Sequence, residues 1–159
     1  MTMKKTVITD NGTTNNSQRL VKRKSVLEKY CDAGYLDLIK SNFSGEDRKK
    51  VGEKLALDYF LSGYYKISSA KIYLTNIPST GNSGWEKALI YRERYLQAVR
   101  CIPHEFWPVV RKVCIENQEL SGDNEFPKKS LLNKNSIYHQ KMLLNLGLER
   151  LLHHYLKKN

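Results

Sequence analysis

Four lysines and a group of hydrogen-bonding side chains lie close together in the last third of the chain. The interval between Glu125 and Glu149 contains no other acidic residue. Cations there can contact phosphates, and polar side chains among them can contact base edges in a DNA groove. A solvated helix face beside an ordinary core is the alternative interpretation. The lysines are Lys128, Lys129, Lys134 and Lys141, and the polar residues are Asn135, Ser136, Tyr138, His139 and Gln140.

The apolar residues after this interval predict the element that must position these side chains. They recur at helical spacing, so they form one core-facing stripe of a C-terminal helix. Asn135, Ser136, His139 and Gln140 would lie in its first turns, where Asn and Gln can each pair with adenine. Ser136 is also a candidate N-cap. The predicted stripe contains Ile137, Leu144, Leu148, Leu151 and Tyr155, widened by Leu152 and Leu156.

A second basic cluster follows an N-terminal segment of different composition. Residues 1–18 are rich in Thr, Asn, Ser and Lys and lack hydrophobic periodicity, which predicts a flexible arm. The cluster resembles those with which such arms contact DNA, although a solvated charge run would have the same composition. Its members are Arg19, Lys22, Arg23 and Lys24.

The composition indicates one domain with tails and a polyanionic partner. The chain has 159 residues, of which 40% are apolar, enough for one core. A net charge of +11 favours nucleic acid or an anionic membrane surface as the partner. No apolar run reaches membrane-spanning length and the N-terminus lacks the apolar core of a secretory signal, so we expect a cytoplasmic protein.

The spacing of apolar residues and of turn and cap residues along the chain predicts an all-α fold. We expect a flexible basic N-terminal arm and a helix-turn-helix-like C-terminal unit. Beyond the arm, we expect an N-terminal helical unit (19–77), a linker loop (78–84) and the helix-turn-helix-like unit (85–159). The predicted segments are a helix over 26–39 broken near Gly34, a helix from the N-cap Ser44 to the C-cap Gly63, an extended or irregular stretch over 64–77, helices over 85–101 and 104–117, a turn over 118–129, and the terminal helix.

Catalytic and metal sites are not indicated. His153 and His154 are adjacent on a helix and point about 100° apart, so they cannot share a metal ion. A nucleophile pair such as Cys101 with His104 would need an orienting group and a cleft. We expect Cys101, and likewise Cys31 and Cys114, to be small buried residues, because they form no CxxC pair. We therefore predict neither enzymatic activity nor a cofactor.

Four segments carry a resemblance to a known family. They are GEKLALDYFLSG (52–63), RERYLQAV (92–99), WPVVRKVCIEN (107–117) and LLNLGLERLLHHY (143–155). They resemble the small helical domain of alphaproteobacterial regulators that occurs in activators of gene transfer agents. The resemblance spans about two-thirds of the chain, mostly at packing positions. It departs in the short, Gly- and Pro-bearing segment between the last two helices, where the family tends to show a further helical turn, and at Gly147, where alanine is usual.

The resemblance implies a helix-turn-helix-type DNA-binding transcriptional regulator that works with RNA polymerase. We expect an activator that binds double-stranded DNA, either as a homodimer or held beside RNA polymerase by another regulator. Two alternatives remain. One is an antitermination or polymerase-binding factor that holds nucleic acid loosely. The other is a basic interaction or effector protein that binds a membrane or an acidic partner.

Overall fold

The computed structural model describes residues 23–65, 82–122 and 136–157, and these residues form helices with no β-strand among them. The predicted all-α class is confirmed. The predicted arm over 1–18 lies outside the described residues. The helices are α1 (Val26–Asp32), α2 (Gly45–Ser62), α3 (Asn82–Cys101), α4 (Trp107–Val110), a π-helix (Arg111–Ile115) that continues α4, and α5 (Ile137–Leu156).

Helix α2 begins and ends where the sequence predicts. The Ser44 hydroxyl accepts a hydrogen bond from the Asp47 amide, and the Asp47 carboxylate accepts one from the Ser44 amide. This reciprocal capping box satisfies two amides that the helix leaves unpaired. Gly63 ends the helix with φ of 75°, a left-handed conformation that glycine adopts without strain.

The predicted break near Gly34 separates α1 from a loop. Helix α1 ends at Asp32, and Gly34 has φ of 75°. The loop over 33–44 then returns to α2. In this segment Leu27, Tyr30 and Leu36 are buried, whereas Ile39 is only partly buried.

The helix boundaries after the linker differ from the prediction. Helix α3 starts at Asn82, within the predicted loop, and α4 starts at Trp107 rather than His104 because Pro103 opens a separate turn. The π-helix was not predicted. It ends where the Glu116 amide donates to the Arg111 carbonyl, and Asn117 follows in a left-handed conformation with φ of 51°.

One hydrophobic core joins residues from both sides of the predicted linker. Leu55 of α2, Val110 of α4 and Leu148 of α5 have no exposed surface. The stripe of α5 is buried at Leu144, Leu148, Leu151 and Leu152, as predicted. Leu156 is 53% exposed in the final turn of α5, so its assignment to the stripe is wrong.

Candidate nucleic-acid interface

Helix α5 divides into a partly exposed first half and a buried second half. Its buried residues begin at Leu144 and continue to Leu152, whereas none is buried between Ile137 and Leu143. The second half therefore fixes the helix in the core. The first two turns are mostly partly exposed.

The N-terminus of α5 is less completely capped than that of α2. Ser136 is the N-cap residue, but its hydroxyl makes no capping hydrogen bond, and the first turn contains no acidic residue. In α2, by contrast, Glu46 and Asp47 lie in the first turn. Helix amides without internal partners and the positive end of the helix dipole attract anions, so the end of α5 is suited to a phosphate.

Side chains in the first turns of α5 differ in their exposure. Tyr138 is 44% exposed, while Ser136 and His139 are partly buried. Tyr138 can present both a ring and a hydroxyl to an incoming ligand. It is the most accessible predicted contact residue on the described part of α5.

Gln140 and Lys141 contact the protein itself. The Gln140 amide donates a 2.9 Å hydrogen bond to the Ser121 carbonyl. The Lys141 ammonium lies 3.2 Å from the ring centre of Tyr35, a cation–π contact. Both side chains thus link neighbouring loops to α5. In this conformation the Gln140 amide and the Lys141 ammonium are therefore less available to contact DNA.

Asn145 fixes the orientation of α5 one turn further on. Its buried amide donates to the Tyr35 and Lys141 carbonyls, both at 2.8 Å. The same loop is therefore held by a hydrogen bond and by the cation–π contact of Lys141. These contacts set the position of the first turns of α5 relative to the body.

Of the basic N-terminal cluster, the structure describes Arg23 and Lys24, and both are exposed. Lys24 forms a 2.7 Å ion pair with Asp32, and the hydrogen bond to this carboxylate raises the pKa of Lys24. An exposed pair of this kind is weak and exchanges readily with other ions. The remaining predicted contact residues lie outside the described residues: Arg19, Lys22, Lys128, Lys129, Lys134 and Asn135.

Helices α4 and α5 pack closely enough to exclude a side chain at Gly147. A Cβ atom there would overlap Cγ2 of Val110 and would lie 3.3 Å from Cβ of Phe106. This contact leaves no room for a side chain at position 147. The α4–α5 pair is consequently a fixed unit, with the first turns of α5 extending from it.

Arg48 was missed by sequence reasoning, because arginine in an amphipathic helix is usually exposed. Its side chain is fully buried, and its guanidinium donates to the Leu36 carbonyl at 2.8 Å and to the Ser41 hydroxyl at 2.7 Å. It also forms a 2.7 Å ion pair with Glu149 of α5. Arg48 thereby fastens the loop over 33–44 to both α2 and α5.

An aromatic cavity adjoins the π-helix. It has a volume of about 430 Å³, and its walls include Tyr59, Tyr95, Trp107 and Arg111. The Arg111 guanidinium pairs with Glu116 at 3.0 Å. Burial raises the pKa of Tyr95 to about 12, so its hydroxyl stays protonated at neutral pH.

The cysteine and histidine predictions have mixed outcomes. Cys114 is buried as expected, but Cys31 is only partly buried and Cys101 is exposed, so the prediction is wrong for Cys101, at the last position of α3. The partner of its sulfur is His154, with Sγ 3.0 Å from Nδ1. His153 lies instead against the Phe43 ring, which confirms that the adjacent histidines point in different directions.

Two negative findings apply to the described part of the chain. No group of three His, Cys, Asp or Glu side chains there is arranged to hold a metal ion. None of the helices in those ranges combines the length and apolar character needed to cross a bilayer.

The chain matches no protein-family model, no curated protein and no solved structure. The resemblance to the regulator domain therefore rests on the sequence segments given above.

Proposed function

We propose that this chain is a DNA-binding transcriptional regulator that uses α4 and α5 as a helix-turn-helix-like unit. The observation that carries the proposal is the incompletely capped, acid-free N-terminus of α5, which follows Lys128, Lys129 and Lys134 in the sequence. Phosphates would meet helix amides and lysines together there. Control of phage-like or gene transfer agent genes is the role that the resembled regulators suggest.

The net charge supports binding of a polyanion. Most of the net charge of +11 comes from segments outside the described residues, one of which contains Lys128, Lys129 and Lys134. Lys134 lies two positions before Ser136, the N-cap residue of α5. A basic segment leading directly into the reading helix would position that helix on the phosphate backbone.

Among the described residues, Tyr138 and His139 are the preferred candidates for sequence reading. They lie in the first turn of α5, and Tyr138 is well exposed. Gln140 would read a base only after exchanging its bond to Ser121 for one to DNA. We therefore assign Gln140 first to positioning the turn before α5, and second to reading.

The test starts with selection of a preferred duplex from random sequences by the full-length protein. Affinity for that duplex and for a random duplex of equal length is then measured by fluorescence anisotropy over a salt series. Lys128→Ala and Lys134→Ala should each lower the slope of log affinity against log salt by roughly 0.9. Lys87→Ala, which removes an exposed lysine of α3, is the matched control and should leave the slope unchanged.

Sequence reading is tested with Tyr138→Ala and His139→Ala on the same two duplexes. A reading residue should lose affinity for the selected duplex while random-duplex binding is retained. Equal losses on both duplexes would assign these residues to backbone contact. Failure to select any preferred sequence, together with unchanged salt slopes in the lysine variants, would overturn the proposal.

A polymerase-binding or antitermination factor is the second candidate. Exposed apolar side chains on two packed helices favour it, because such surfaces commonly bind proteins. They are Leu57, Phe60 and Leu61 on α2 and Leu89 and Ile90 on α3, with exposures between 37% and 58%. In a purified transcription assay, such a factor would alter read-through on templates of any sequence, and Phe60→Ser with Ile90→Ser would abolish that effect.

A further inference from the structure

The fold brings together a thiol and an imidazole that are far apart in the sequence. Cys101 is the last residue of α3, and His154 lies in the last turn of α5. The distance from the Cys101 sulfur to His154 Nδ1 is 3.0 Å. The thiol is exposed, so a small reagent can approach it without opening the core.

The pair lies among groups that hold the imidazole in place. The His154 ring makes an edge contact with the Tyr155 ring, at 5.3 Å between centres. The Tyr155 hydroxyl donates a 3.0 Å hydrogen bond to the buried Asp58 carboxylate, and the Lys54 ammonium lies 4.2 Å from the Tyr155 ring centre. His154 is therefore attached to a fixed part of α5.

The other two cysteines provide contrasting environments in the same chain. Burial raises the pKa of the Cys114 thiol to about 12. Burial, and to a smaller extent a hydrogen bond to the Glu46 carboxylate, raises the pKa of the Cys31 thiol. Both environments favour the protonated thiol, which is the unreactive form. Cys101 differs from them in having a base at hydrogen-bond distance and an open face.

We propose that Cys101 is a modification site at which His154 activates the thiol for exchange with low-molecular-weight disulfides such as glutathione disulfide. His154 Nδ1 accepts the thiol proton, and the thiolate attacks one sulfur of the disulfide. A new S–S bond forms to Cys101 as the reagent's S–S bond breaks. The departing thiolate takes the proton from the imidazolium, so the products are a mixed disulfide and one free thiol.

This site is independent of the proposed DNA contacts. Cys101 and His154 meet at the C-terminal end of α5, whereas the proposed interface lies at its N-terminal end. About 17 residues of helix between the two ends correspond to roughly 25 Å. Modification of Cys101 can therefore be measured whether or not the chain binds DNA.

The experiment uses the full-length protein with glutathione disulfide at pH 7, followed by intact mass measurement and peptide mapping. We expect Cys101 to form the mixed disulfide roughly ten times faster than Cys31, and Cys114 to remain unmodified in the folded protein. Cys101→Ser should remove the fast phase. Equal rates at Cys101 and Cys31 would overturn the proposal.

The role of the base is tested with His154→Gln, which retains a polar side chain but cannot accept the proton in the same way. We expect the Cys101 rate to fall about tenfold. His153→Gln, a change at the adjacent position, should leave the rate unchanged. An unaltered rate in folded His154→Gln would show that the thiol is merely exposed.

Discussion

Arg48 is a charged residue without solvent access. Its hydrogen-bond partners must offset the free-energy cost of burying the charge. Three oxygens of the loop over 33–44 accept its hydrogen bonds: the Leu36 and Ile39 carbonyls and the Ser41 hydroxyl. The Glu149 carboxylate also accepts one. A buried charge is costly unless such partners compensate it. The contacts therefore act as one unit, and removal of one member leaves the others unsatisfied.

Arg48→Met should lower the free energy of unfolding by about 3–5 kcal/mol, because Glu149 would lose its buried partner. Chemical denaturation measures this change. Lys49→Met, at the next position, removes a cation whose 3.5 Å pair with Glu46 lies nearer the surface, and should change the free energy of unfolding far less. Combining Arg48→Met with Glu149→Leu should recover part of the loss. If the double variant is no more stable than Arg48→Met, the two side chains are not coupled as the geometry indicates.

Tyr95 predicts a pH dependence of stability in the alkaline range. Burial raises its pKa from 10.0 to about 12, so below pH 10 it is neutral in both folded and unfolded chains and contributes no dependence. Above pH 10 the unfolded chain loses the proton first, and stability falls as the pH rises toward 12. At pH 11, Tyr95→Phe should avoid part of this loss, less than about 1 kcal/mol because solvent screens the partly exposed ring. Denaturation curves of the parent protein and of Tyr95→Phe at pH 8 and pH 11 measure the difference. An equal pH dependence of stability in the two proteins would contradict the prediction.

At the scale of elements, the close approach of α4 to α5 depends on Gly147. The Val110 side chain against it has no exposed surface, so it has little room to move. Gly147→Ala gains up to about 1 kcal/mol of helix propensity but incurs roughly 1–3 kcal/mol of overpacking. The cost of overpacking should exceed the gain in helix propensity, so Gly147→Ala should be less stable than the parent protein.

The matched control for this prediction is Gly84→Ala in α3, where an added Cβ meets no atom within 4 Å. It should be neutral or stabilising by up to about 1 kcal/mol. Adding Val110→Ala to Gly147→Ala should relieve the overlap, although it also removes buried methyl groups. Thermal melting of these variants is the measurement, and a Gly147→Ala protein more stable than the parent would show that the helices separate without cost.

The helices could be predicted because their signals are local. Ser44, Asp47 and Gly63 mark the ends of α2 within a few residues, and the leucines of α5 repeat at helical spacing. The π-helix could not be predicted, because apolar periodicity does not distinguish one inserted residue in a short helix. The contacts of Gln140 with Ser121 and of Cys101 with His154 join positions that only the fold brings together.

At the scale of the whole molecule, the linker predicted over 78–84 does not divide the core. Residues of α1 and α2 before it pack with residues of α3, α4 and α5 after it. The Tyr30 hydroxyl, for example, accepts a 2.8 Å hydrogen bond from the Leu120 amide. Neither side retains a complete core without the other.

The shared core predicts one cooperative unfolding transition. In a Trp85→Phe variant, fluorescence of Trp107 should report the same denaturation midpoint as far-ultraviolet circular dichroism, since α4 and α2 lose their packing together. A fragment of residues 23–77 should lack stable helix by circular dichroism. Two separated midpoints, or a folded fragment, would indicate independent units on either side of the loop.

The ion pair between positions 48 and 149 also has an evolutionary consequence. A substitution at either position alone passes through a destabilised protein, so the two should change together when sequences diverge. A homologue with an apolar residue at position 48 should carry a neutral residue at position 149, and lysine should be rare at position 48 because it cannot reproduce the forked contacts of a guanidinium. Aligned relatives would thus show paired variation between a residue of α2 and a residue of α5, 101 positions apart.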